Sequence, residues 1–519
     1  MVVGALSFLE GRFSKIGPRL AETVRHNWHL GFTAFGGPPV HFKILRDRFT
    51  TKLQWIDDQM FEELFSISQS LSGPASTKLH YCINLLHGGF LSALLAFAMW
   101  SLPGALAMYG LSLGVGDIDD TLPRQAYALL SGLNAATVGI IALAAVQLSE
   151  KAITDQMTRV IVLVAAAAGM MYTAVWYLPV LMILGGLATI VHDFRWLHGP
   201  VAWIRGLFQR KKGPAPVDEE VTGDEIELSN RDGTRAGPSS AAQETPVHED
   251  STVYKREAHR EDQQPSVSNL DNALQDDTSA GSHDEPRVIP RQRRIHMSWK
   301  GGLGVIATFF AIFMIVMILR GVLQDPPLLY RLFANMFLAG TIIFGGGPVV
   351  IPLLRDYVVA EGWVGSRDFL IGLAIIQAFP GPNFNFAVYL GGLTALNGGY
   401  NSAIGAAISF VGIFFPGLTL VHGTMGVWQA IRGWRAVKSA VRGVNAAAVG
   451  LIYTAVYRLW QIGYIDEGYR EGASLALEPW WVVVTATSYA GGRWFGVSPP
   501  VAIILGGSMG MIWYGVVTA

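Results

Sequence analysis

Two short proline–glycine segments interrupt apolar runs at equivalent places in the two halves of the sequence. Ser72–Pro74 breaks the first run, and Pro380–Pro382 breaks the second. Proline removes a backbone donor and glycine relaxes the backbone, so a helix should end at each segment and a new one should begin after it. Polar backbone groups freed inside a membrane are tolerated only where they line protein or a water-filled cavity. The paired breaks therefore predict a binding site.

The half-helix after each break is suited to binding an anion. The first N–H groups of a helix and the positive end of its dipole bind negative charge without any cation. These groups are assigned to Ser76–Lys78 in the first half and to Asn383–Asn385 in the second. Lys78 adds a cation, which is costly at that depth unless it faces a cavity, a partner or a charged substrate. An anionic substrate is predicted; the alternative is that the breaks are packing kinks and that Lys78 extends to the membrane interface.

Other residues near the breaks are candidates for the same site. Phe35–Pro38 and Phe344–Pro348 are glycine-rich, and their bare backbone could approach a substrate or another helix equally well. Gln69 and Gln377 lie about one turn before the main breaks, where an amide could coordinate an oxyanion or bond to a neighbouring helix. The predicted substrate-binding residues are Ser72, Gly73, Pro74, Ser76, Thr77, Lys78, Pro380, Gly381, Pro382, Asn383, Asn385, Gln69, Gln377, Gly36, Gly37, Gly345 and Gly346.

Three histidines, His41, His80 and His87, lack the spacing that would hold a metal on one helix. A proton-carrying role is the alternative for them, although none has a clear charged partner in the sequence. The sequence predicts no catalytic residue, no metal site and no cofactor. It has no GxxxxGK[ST] loop and no soluble domain large enough for an ATPase, so any transport is predicted to be secondary.

The elements that position these residues are predicted to be membrane helices. Of the 519 residues, 51% are hydrophobic and 15% are charged, which is typical of membrane proteins once the polar middle is set aside. Ala128–Leu148, Gly302–Leu323 and Val497–Val516 reach roughly the 20 residues needed to cross a bilayer. Cys82 is the single cysteine, so no intrachain disulfide can form. The predicted class is an all-α polytopic membrane protein.

The middle of the sequence is polar. Gly213–Pro286 has almost no aromatic or branched apolar residues, so it cannot bury enough apolar area to fold. Basic residues on both sides of it indicate the cytoplasmic face. We expect a first transporter repeat at residues 1–207, a disordered acidic linker at 208–298, and an extra span with the second repeat at 299–519. The linker is either a tether or a regulatory segment whose Ser and Thr residues accept phosphate.

The two sides of the linker match each other at a shift of about 310 positions. Phe35–Val40 pairs with Phe344–Val349, and Leu45–Asp47 pairs with Leu354–Asp356. The match continues without a gap from Trp55, Phe61, Ile67, Gln69, Gly73 and Pro74 to Trp363, Phe369, Ile375, Gln377, Gly381 and Pro382. The chain is therefore predicted to be a tandem duplication.

The repeats are predicted to be inverted. Each half contains roughly six apolar segments and the second half has one more in front, which makes about 13 transmembrane segments and an odd offset between equivalents. Asp117–Asp120 precedes one segment, whereas the equivalent loop, Arg432–Arg442, is basic. The N-terminus and linker should then be cytoplasmic and the C-terminus external. The basic loop Lys43–Lys52 disagrees with this count, and re-entry of the first segment, broken at Gly36–Pro39, is the alternative to a crossing.

The motifs also carry a family resemblance. The combination of Phe35–Pro38, a Gly-Pro break, Leu102–Gly104 and Asn134–Ala136 resembles the chromate ion transporter family in its long two-domain form. Both halves match, so the resemblance covers nearly the whole chain outside the linker. Phe379–Ala387 is similar to the signature of that family's second domain. The long linker suggests a eukaryotic, fungal version.

The resemblance implies secondary transport of chromate or a related sulfate-like oxyanion, held at paired broken-helix N-termini. Ser72 departs from the family's usual Pro-Gly-Pro and leaves the substrate preference and direction open. The expected location is the plasma membrane, with the lipid bilayer and the oxyanion as partners, no nucleic acid, and a homodimer as an open alternative. An anion channel or a carrier of another small solute is the competing function. A membrane enzyme or scaffold has the least support.

Overall fold

Helices make up the regular structure in the part of the chain that the computed structural model describes, which is residues 17–117, 122–172, 177–195, 297–344 and 347–517. An isolated bridge between Tyr464 and Ala473 is the exception among these residues. The predicted all-α class is confirmed. The predicted linker lies outside the described residues apart from positions 297 and 298, as do Gly345 and Gly346.

The first repeat begins with short helices and ends with long ones. Its helices are α1 (residues 17–27), α2 (Leu30–Thr33), α3 (Gly37–Arg46), α4 (Asp58–Ser70), α5 (Ala75–Gly88), α6 (Phe90–Gly116), α7 (Arg124–Ala152), α8 (Gln156–Met171) and α9 (Tyr177–Asp193). A π-helical turn, Asp47–Lys52, follows α3.

The second repeat has the same order of elements after one additional helix. Its helices are α10 (Trp299–Val322), α11 (Leu328–Ile342), α12 (Gly347–Val358), α13 (Ser366–Ile376), α14 (Phe386–Asn397), α15 (Ser402–Ile431), α16 (Arg435–Trp460), α17 (Pro479–Trp494) and α18 (Pro499–Val517). A 3-10 turn, Asn383–Asn385, leads into α14. The extra span predicted at Gly302–Leu323 corresponds to α10, of which only Gly302, Phe309 and Val316 are buried.

Six helices among the described residues, α6, α7, α10, α15, α16 and α18, are long and apolar enough to cross a membrane. Three shorter apolar helices are α8, α9 and α11. The total of about 13 crossing segments therefore stays a prediction.

The chain folds back on itself at the first break, as its contacts with α15 show. Gly73 at the break lies against Gly417 in the middle of α15. Glu63, at the middle of α4, contacts Arg432 at the end of α15 through an ion pair of 3.2 Å. Tyr81 of α5 hydrogen-bonds to His422 at 2.9 Å, also beyond the middle of α15. The helix α5 thus lies along the C-terminal half of α15, and α4 contacts the end of the same half, so α4 and α5 form the first hairpin.

The second break also separates the two limbs of a hairpin. The side chain of Asn397, the last residue of α14, donates to the Trp363 carbonyl just ahead of α13 at 2.9 Å. Closer to the break, the Tyr389 hydroxyl of α14 donates to the Asp368 carbonyl of α13 at 2.6 Å. The limbs therefore run side by side in opposite directions, and α13 and α14 form the second hairpin.

Contacts along α6 and α14 fix their relative direction. Gly104 of α6 lies against Asn385, and Ser112, further along α6, lies against Gly392 of α14. These two helices therefore run the same way. The helices α14 and α15 run in opposite directions, because Gly391 lies against Ser409, whereas Ala395, further along α14, lies against the earlier Gly405. Consequently α6 and α15, which are equivalent in the two repeats, are antiparallel.

Long helices of each repeat pack against helices of the other repeat through glycines. Gly132 of α7 packs against the backbone of Gly506 in α18, and the equivalent Gly443 of α16 packs against the backbone of Gly185 in α9. Missing side chains allow these backbones to approach closely, as is common between membrane helices. The two repeats form one compact unit as a result.

Candidate functional site

The tips of the two hairpins meet through a reciprocal pair of hydrogen bonds. The Gly73 N–H donates to the Ile343 carbonyl at 2.7 Å, and the Gly381 N–H donates to the Ala34 carbonyl at 2.8 Å. Gly73 and Gly381 are equivalent in the repeats, and so are Ala34 and Ile343. Each break is thereby attached to the residue just ahead of the glycine-rich segment of the other repeat.

Glycine is required at both tips. Gly73 and Gly381 have φ angles of 89° and 91°, which L residues with a side chain rarely adopt. A Cβ on Gly73 would lie 2.9 Å from the Gly417 Cα, and one on Gly104 would lie 2.5 Å from the Pro380 carbonyl oxygen. Since Gly104 and Gly417 are themselves equivalent, each break packs against the Pro-Gly step of the long helix from the other repeat.

A narrow cavity, about one water molecule in size, lies where these segments converge. Four helical segments begin at it: α3 at Gly37, α5 at Ala75, α12 at Gly347, and the turn before α14 at Asn383. The lining residues are Pro38, His41, Pro74, Ala75, Ser76, Gly347, Pro382, Asn383 and Phe384. No acidic residue lines it in the described part of the chain, so the partial positive charges of helix starts from both repeats dominate its potential.

The backbone donors at the cavity differ by one position from the prediction. The N–H of Lys78 already donates to the Pro74 carbonyl at 3.0 Å, and that of Asn385 donates to the Pro382 carbonyl at 2.9 Å. Because the helix begins at Ala75, the amides without a partner inside it belong to Ala75–Thr77. In the second repeat they belong to Asn383 and Phe384. The assignment of free N–H groups to Lys78 and Asn385 was therefore wrong.

Lys78 lies beside the cavity rather than on it. Its side chain is fully buried, and its Nζ donates to the carbonyls of Leu71 and Ser72 at 2.6 and 2.8 Å. These carbonyls end α4, where the helix dipole is negative. The hydrogen bonds of Nζ thus satisfy carbonyl oxygens that would otherwise repel an anion. The alternative in which Lys78 extends to the membrane interface is wrong.

His41 joins the two tips, and the sequence analysis did not include it in the site. Its Nε2 lies 3.1 Å from the Ala34 carbonyl that also accepts from Gly381, and its Nδ1 lies 3.1 Å from the Ser76 hydroxyl. The signal that could have found it is its place in the first turns of α3, directly after the glycine-rich segment. Residues of that segment and residues of the main break therefore line the same cavity.

Several other predicted residues, namely Ser72, Thr77, Asn385, Gln69 and Gln377, are not among the residues that line the cavity. The Thr77 hydroxyl accepts from the Trp100 indole at 3.2 Å, and the Asn385 amide donates to the Ser101 carbonyl at 3.0 Å. Buried polar atoms without a hydrogen-bond partner include Ser72 Oγ, Gln377 Nε2 and Asn385 Oδ1. Gln69 is buried too.

The glycines ahead of α3 have different surroundings. Gly36 precedes α3 with a φ of 98° and packs against Pro499 of α18. Gly37 has a φ of 74° and faces open space. The first is thus constrained by packing and conformation, and the second by conformation alone.

Taken together, the helices long and apolar enough to span a bilayer indicate an integral membrane protein, in which the paired hairpins meet at a small cavity. Such broken helices at equivalent positions are typical of secondary transporters. The family model described as chromate transporter matches residues 21–190 and 330–511. The chain belongs to the chromate transporter family, and each matched stretch falls within one repeat.

Curated relatives agree with this membership. A chromate transport protein of Pseudomonas aeruginosa is 22% identical over 434 residues, covering 83% of this chain and 79% of the relative. A probable chromate transport protein of Synechococcus elongatus is 22% identical over 448 residues, covering 84% of each. A chromate transport protein of Cupriavidus metallidurans is 32% identical over 123 residues, covering 23% of this chain and 29% of the relative. No solved structure gives a significant match.

Proposed function

We propose that this chain is a secondary transporter that binds chromate, or a dianion of the same shape such as sulfate, between the tips of the two hairpins. The observation that carries the proposal is the convergence of four helix starts from both repeats on one cavity without an acidic lining residue. Backbone N–H groups and helix dipoles bind oxyanions in many proteins. Family membership supports chromate as the substrate.

Transport requires the tips to separate. The cavity is about the size of one water molecule, which is smaller than a tetrahedral oxyanion. The reciprocal bonds of Gly73 and Gly381 hold the tips together, and we infer that they break alternately to expose the cavity to one side and then to the other. Rocking of one repeat against the other around a fixed site is the usual form of alternating access in such architectures.

We also propose that the two repeats are inverted and that both hairpins re-enter the membrane. The antiparallel course of the equivalent helices α6 and α15 supports inversion. Re-entry is supported by the first hairpin, because α5 lies along the C-terminal half of α15 and α4 contacts the end of that same half. Crossing helices would then be α6–α10 and α15–α18. The basic loop Lys43–Lys52 becomes cytoplasmic, as the distribution of positive charge requires.

Flux measurements test the function. Purified protein in liposomes should take up radiolabelled chromate with saturation and should exchange it for internal chromate. Sulfate is the matched competitor because it has the same charge and shape. Unitary currents without counterflow would favour an anion channel instead. Absence of both chromate flux and chromate exchange in correctly folded protein would overturn the transporter proposal.

Cysteine accessibility tests the topology after Cys82 is replaced by serine. Single cysteines at Lys52 and Lys438, both exposed, should be labelled from inside, and one at Asp117 should be labelled from outside. The count of about 13 crossings places Lys52 outside, so this position separates re-entry from crossing. Labelling of Lys438 from outside only would contradict the inverted arrangement. Cells that express these single-cysteine variants would also show whether the protein resides in the plasma membrane, which we propose as its location.

A further inference from the structure

A further cavity, of about 310 Å³, lies between the start of α7, the end of α18 and the loop that follows α16. Its volume corresponds to about ten water molecules and reaches the range of small-molecule sites, which begins at about 300 Å³. In the described part of the chain it shares no lining residue with the cavity at the hairpin tips. This α7–α18 cavity is therefore a separate place with room for a small ligand.

Contacts between the repeats hold the walls of the α7–α18 cavity in place. Gly132 of α7 packs against the backbone of α18. The hydroxyl of Ser131 donates to the Ile465 carbonyl at 2.9 Å and accepts from the Ile465 N–H at 3.0 Å, which attaches the loop to α7. Tyr464 and Ala473 form an isolated bridge, so the loop turns back on itself. The cavity is thus largely formed before any ligand binds.

Aromatic side chains make up much of its lining. Tyr127, Tyr464, Trp513 and Tyr514 all line the cavity. Trp481 packs behind two of them, with ring centroids 5.9 Å from Tyr464 and 5.1 Å from Trp513. The face of an aromatic ring carries negative partial charge and attracts a cation within about 6 Å. The lining therefore favours a positively charged group.

The charged residues of the lining agree in sign. Arg124 contributes one positive charge, and Asp466 and Glu467 contribute two negative charges. Arg124 pairs with Glu467 at 3.0 Å, so these two charges offset each other. Asp466 accepts from the Glu467 backbone N–H at 2.7 Å and from the Tyr464 hydroxyl at 3.4 Å, both neutral donors. The remaining negative charge repels an oxyanion and attracts a cation.

The Tyr127 hydroxyl is the observation that points to a ligand. Tyr127 is 2% exposed and lines the cavity, and its Oη has no hydrogen-bond partner. A buried polar group without a partner destabilises the folded protein, so a ligand that supplies a partner is favoured. A primary ammonium group has three N–H donors, whereas a quaternary ammonium group has none. The hydroxyl thus favours a primary ammonium group.

An inorganic cation fits this lining less well. In the described part of the chain, no group of three or more acidic, histidine or cysteine residues could hold a metal ion. One of the two carboxylates at the cavity is already paired with Arg124. Hard cations require several oxygen ligands, while aromatic faces suit organic ammonium groups. The cavity therefore matches an organic cation.

The surface beside the cavity indicates the source of that cation. The helix α18 is long and apolar enough to cross a membrane, and its apolar residues Ile512 and Val516 are mostly exposed. Val517, at the end of the same helix, lines the cavity. The cavity therefore lies where the apolar surface of α18 ends, which is the depth of lipid headgroups. Trp and Tyr side chains are enriched at that depth in membrane proteins.

The equivalent place in the other half of the fold is occupied by ion pairs. Between the start of α16, the end of α9 and the loop after α7, Arg442 pairs with Asp155 and Asp193 at 2.8 and 2.7 Å. The loop after α7 consists of residues 153–155, whereas the loop after α16 spans residues 461–478. The α7–α18 cavity is thus a property of the longer loop, and the repeated packing of the helices does not require it.

We propose that the α7–α18 cavity binds the primary ammonium headgroup of a membrane lipid such as phosphatidylethanolamine. The ammonium donates to the Tyr127 hydroxyl and to the Asp466 carboxylate, and the aromatic rings surround it. The lipid phosphate lies beside Arg124, whose guanidinium has donors beyond the two that Glu467 accepts. The acyl chains follow the apolar surface of α18. This site is independent of the proposed oxyanion site.

Native mass spectrometry of the purified full chain, titrated with lipids of matched acyl chains, measures this binding. Phosphatidylethanolamine should occupy one saturable site with about tenfold or more higher affinity than phosphatidylcholine, which has no N–H donor. Phosphatidylglycerol, which has no ammonium group, should bind no better than phosphatidylcholine. Free ethanolamine should bind at least about tenfold more weakly than the lipid, because it lacks the acyl chains that lie on α18.

Two variants test the residues assigned to the ammonium. Tyr127→Phe and Asp466→Asn should each weaken phosphatidylethanolamine binding about tenfold. Tyr127→Phe should leave phosphatidylcholine binding unchanged. The matched control is Asp325→Asn, which makes the same change of charge on the exposed loop between α10 and α11. It should bind the lipid as the wild type does.

Equal affinity for phosphatidylethanolamine and phosphatidylcholine, or normal phosphatidylethanolamine binding in both variants, would overturn the proposal. Binding of free ethanolamine as tight as that of the lipid would also overturn it, because the membrane would not be the source. Without lipid, Tyr127→Phe should unfold thermally no earlier than the wild type, since its hydroxyl has no partner to lose. A lower unfolding temperature would assign that hydroxyl a partner inside the protein and contradict the site.

Discussion

The tips of the two hairpins have the same backbone conformation but carry different side chains. In both, a glycine with positive φ donates to a carbonyl of the other repeat, and a helical segment begins two residues later. At the first tip, Lys78 covers the carbonyls that end α4, and His41 holds Ser76. At the second tip, Phe386 replaces the lysine, and Phe384 replaces the serine.

This difference separates two contributions to the anion binding proposed for the tips. Backbone N–H groups come from both repeats, because they depend only on where the helices start. The buried lysine amine and the serine hydroxyl come from the first repeat. Duplication thus preserved the geometry of the site, while the side chains that could tune its charge and protonation are present in one copy. The following variants test that division.

The largest effect is expected from a negative charge placed in the cavity. Asn383→Asp changes little in shape, and the equivalent change in the first repeat is Ala75→Asp. A carboxylate at about 6 Å from a dianion repels it by several kcal/mol, so chromate affinity should fall at least about a hundredfold in both variants. Binding titration on purified protein measures this.

Asn401→Asp is the matched control, because Asn401 caps α15 from an exposed position and undergoes the same change of charge. Its chromate affinity should be unchanged. If only one of the two cavity variants loses affinity at a normal yield of folded protein, the two tips do not contribute to a shared site.

Lys78→Gln should lower chromate affinity more than about tenfold, which is about 1.4 kcal/mol, because the carbonyls ending α4 lose their cation in a water-poor environment. Lys78→Arg should retain most of the affinity. Phe386→Leu, at the equivalent position of the second repeat, should not alter it. Transport affinity would be measured beside the amount of folded protein. Normal affinity in Lys78→Gln would leave binding to the backbone donors alone.

Substitution of three glycines by alanine should destabilise the protein to different degrees, depending on the atoms that the new Cβ contacts. Gly73→Ala should destabilise most, by roughly 2–4 kcal/mol, since strain at positive φ adds to a clash with the Gly417 backbone. Gly381→Ala should cost about 1–3 kcal/mol, because its Cβ lies 3.1 Å from the Trp100 carbonyl oxygen. Gly37→Ala carries strain alone, of about 1–2 kcal/mol. Thermal unfolding in detergent would reveal the order, and a reversed order would contradict the packing described for the tips.

The smallest effect is expected far from the tips. Arg46 pairs with Asp58 at 2.9 Å, and the side chains of both residues are about half exposed or more. Such pairs contribute under about 1 kcal/mol. Arg46→Ala should therefore leave both stability and chromate affinity nearly unchanged. A loss of transport with normal folding would indicate a gating role for this arginine.

The sequence was sufficient to locate both breaks and the equivalence of the repeats, because proline and glycine act on the chain locally. It was not sufficient to show the course of the chain after a break. A helix interrupted at Ser72–Pro74 can continue across the membrane or return, and contacts with α15 decide between these. Those contacts join residues hundreds of positions apart.

The residues that make up the site could likewise be predicted only in part from the sequence. Pro74 and Ser76 were predicted from their position at a break, and they line the cavity. His41 and Gly347 line it only because the glycine-rich segments reach the opposite break. Lys78 was predicted from its charge. Its hydrogen bonds to the carbonyls of its own hairpin form only because the chain folds back, and the hydrophobic periodicity of the sequence does not predict that course.

The additional helix α10 has a consequence for how the protein is made. It packs on α15 through Gly302, and most of its surface stays outside the core. In the arrangement proposed above, the four long helices of the first repeat return the chain to the side where it started, so the second repeat needs one further crossing to be inserted upside down. During synthesis α10 thus acts as an orientation signal: without it, the basic segment Arg432–Arg442 would have to be translocated, which membrane insertion resists.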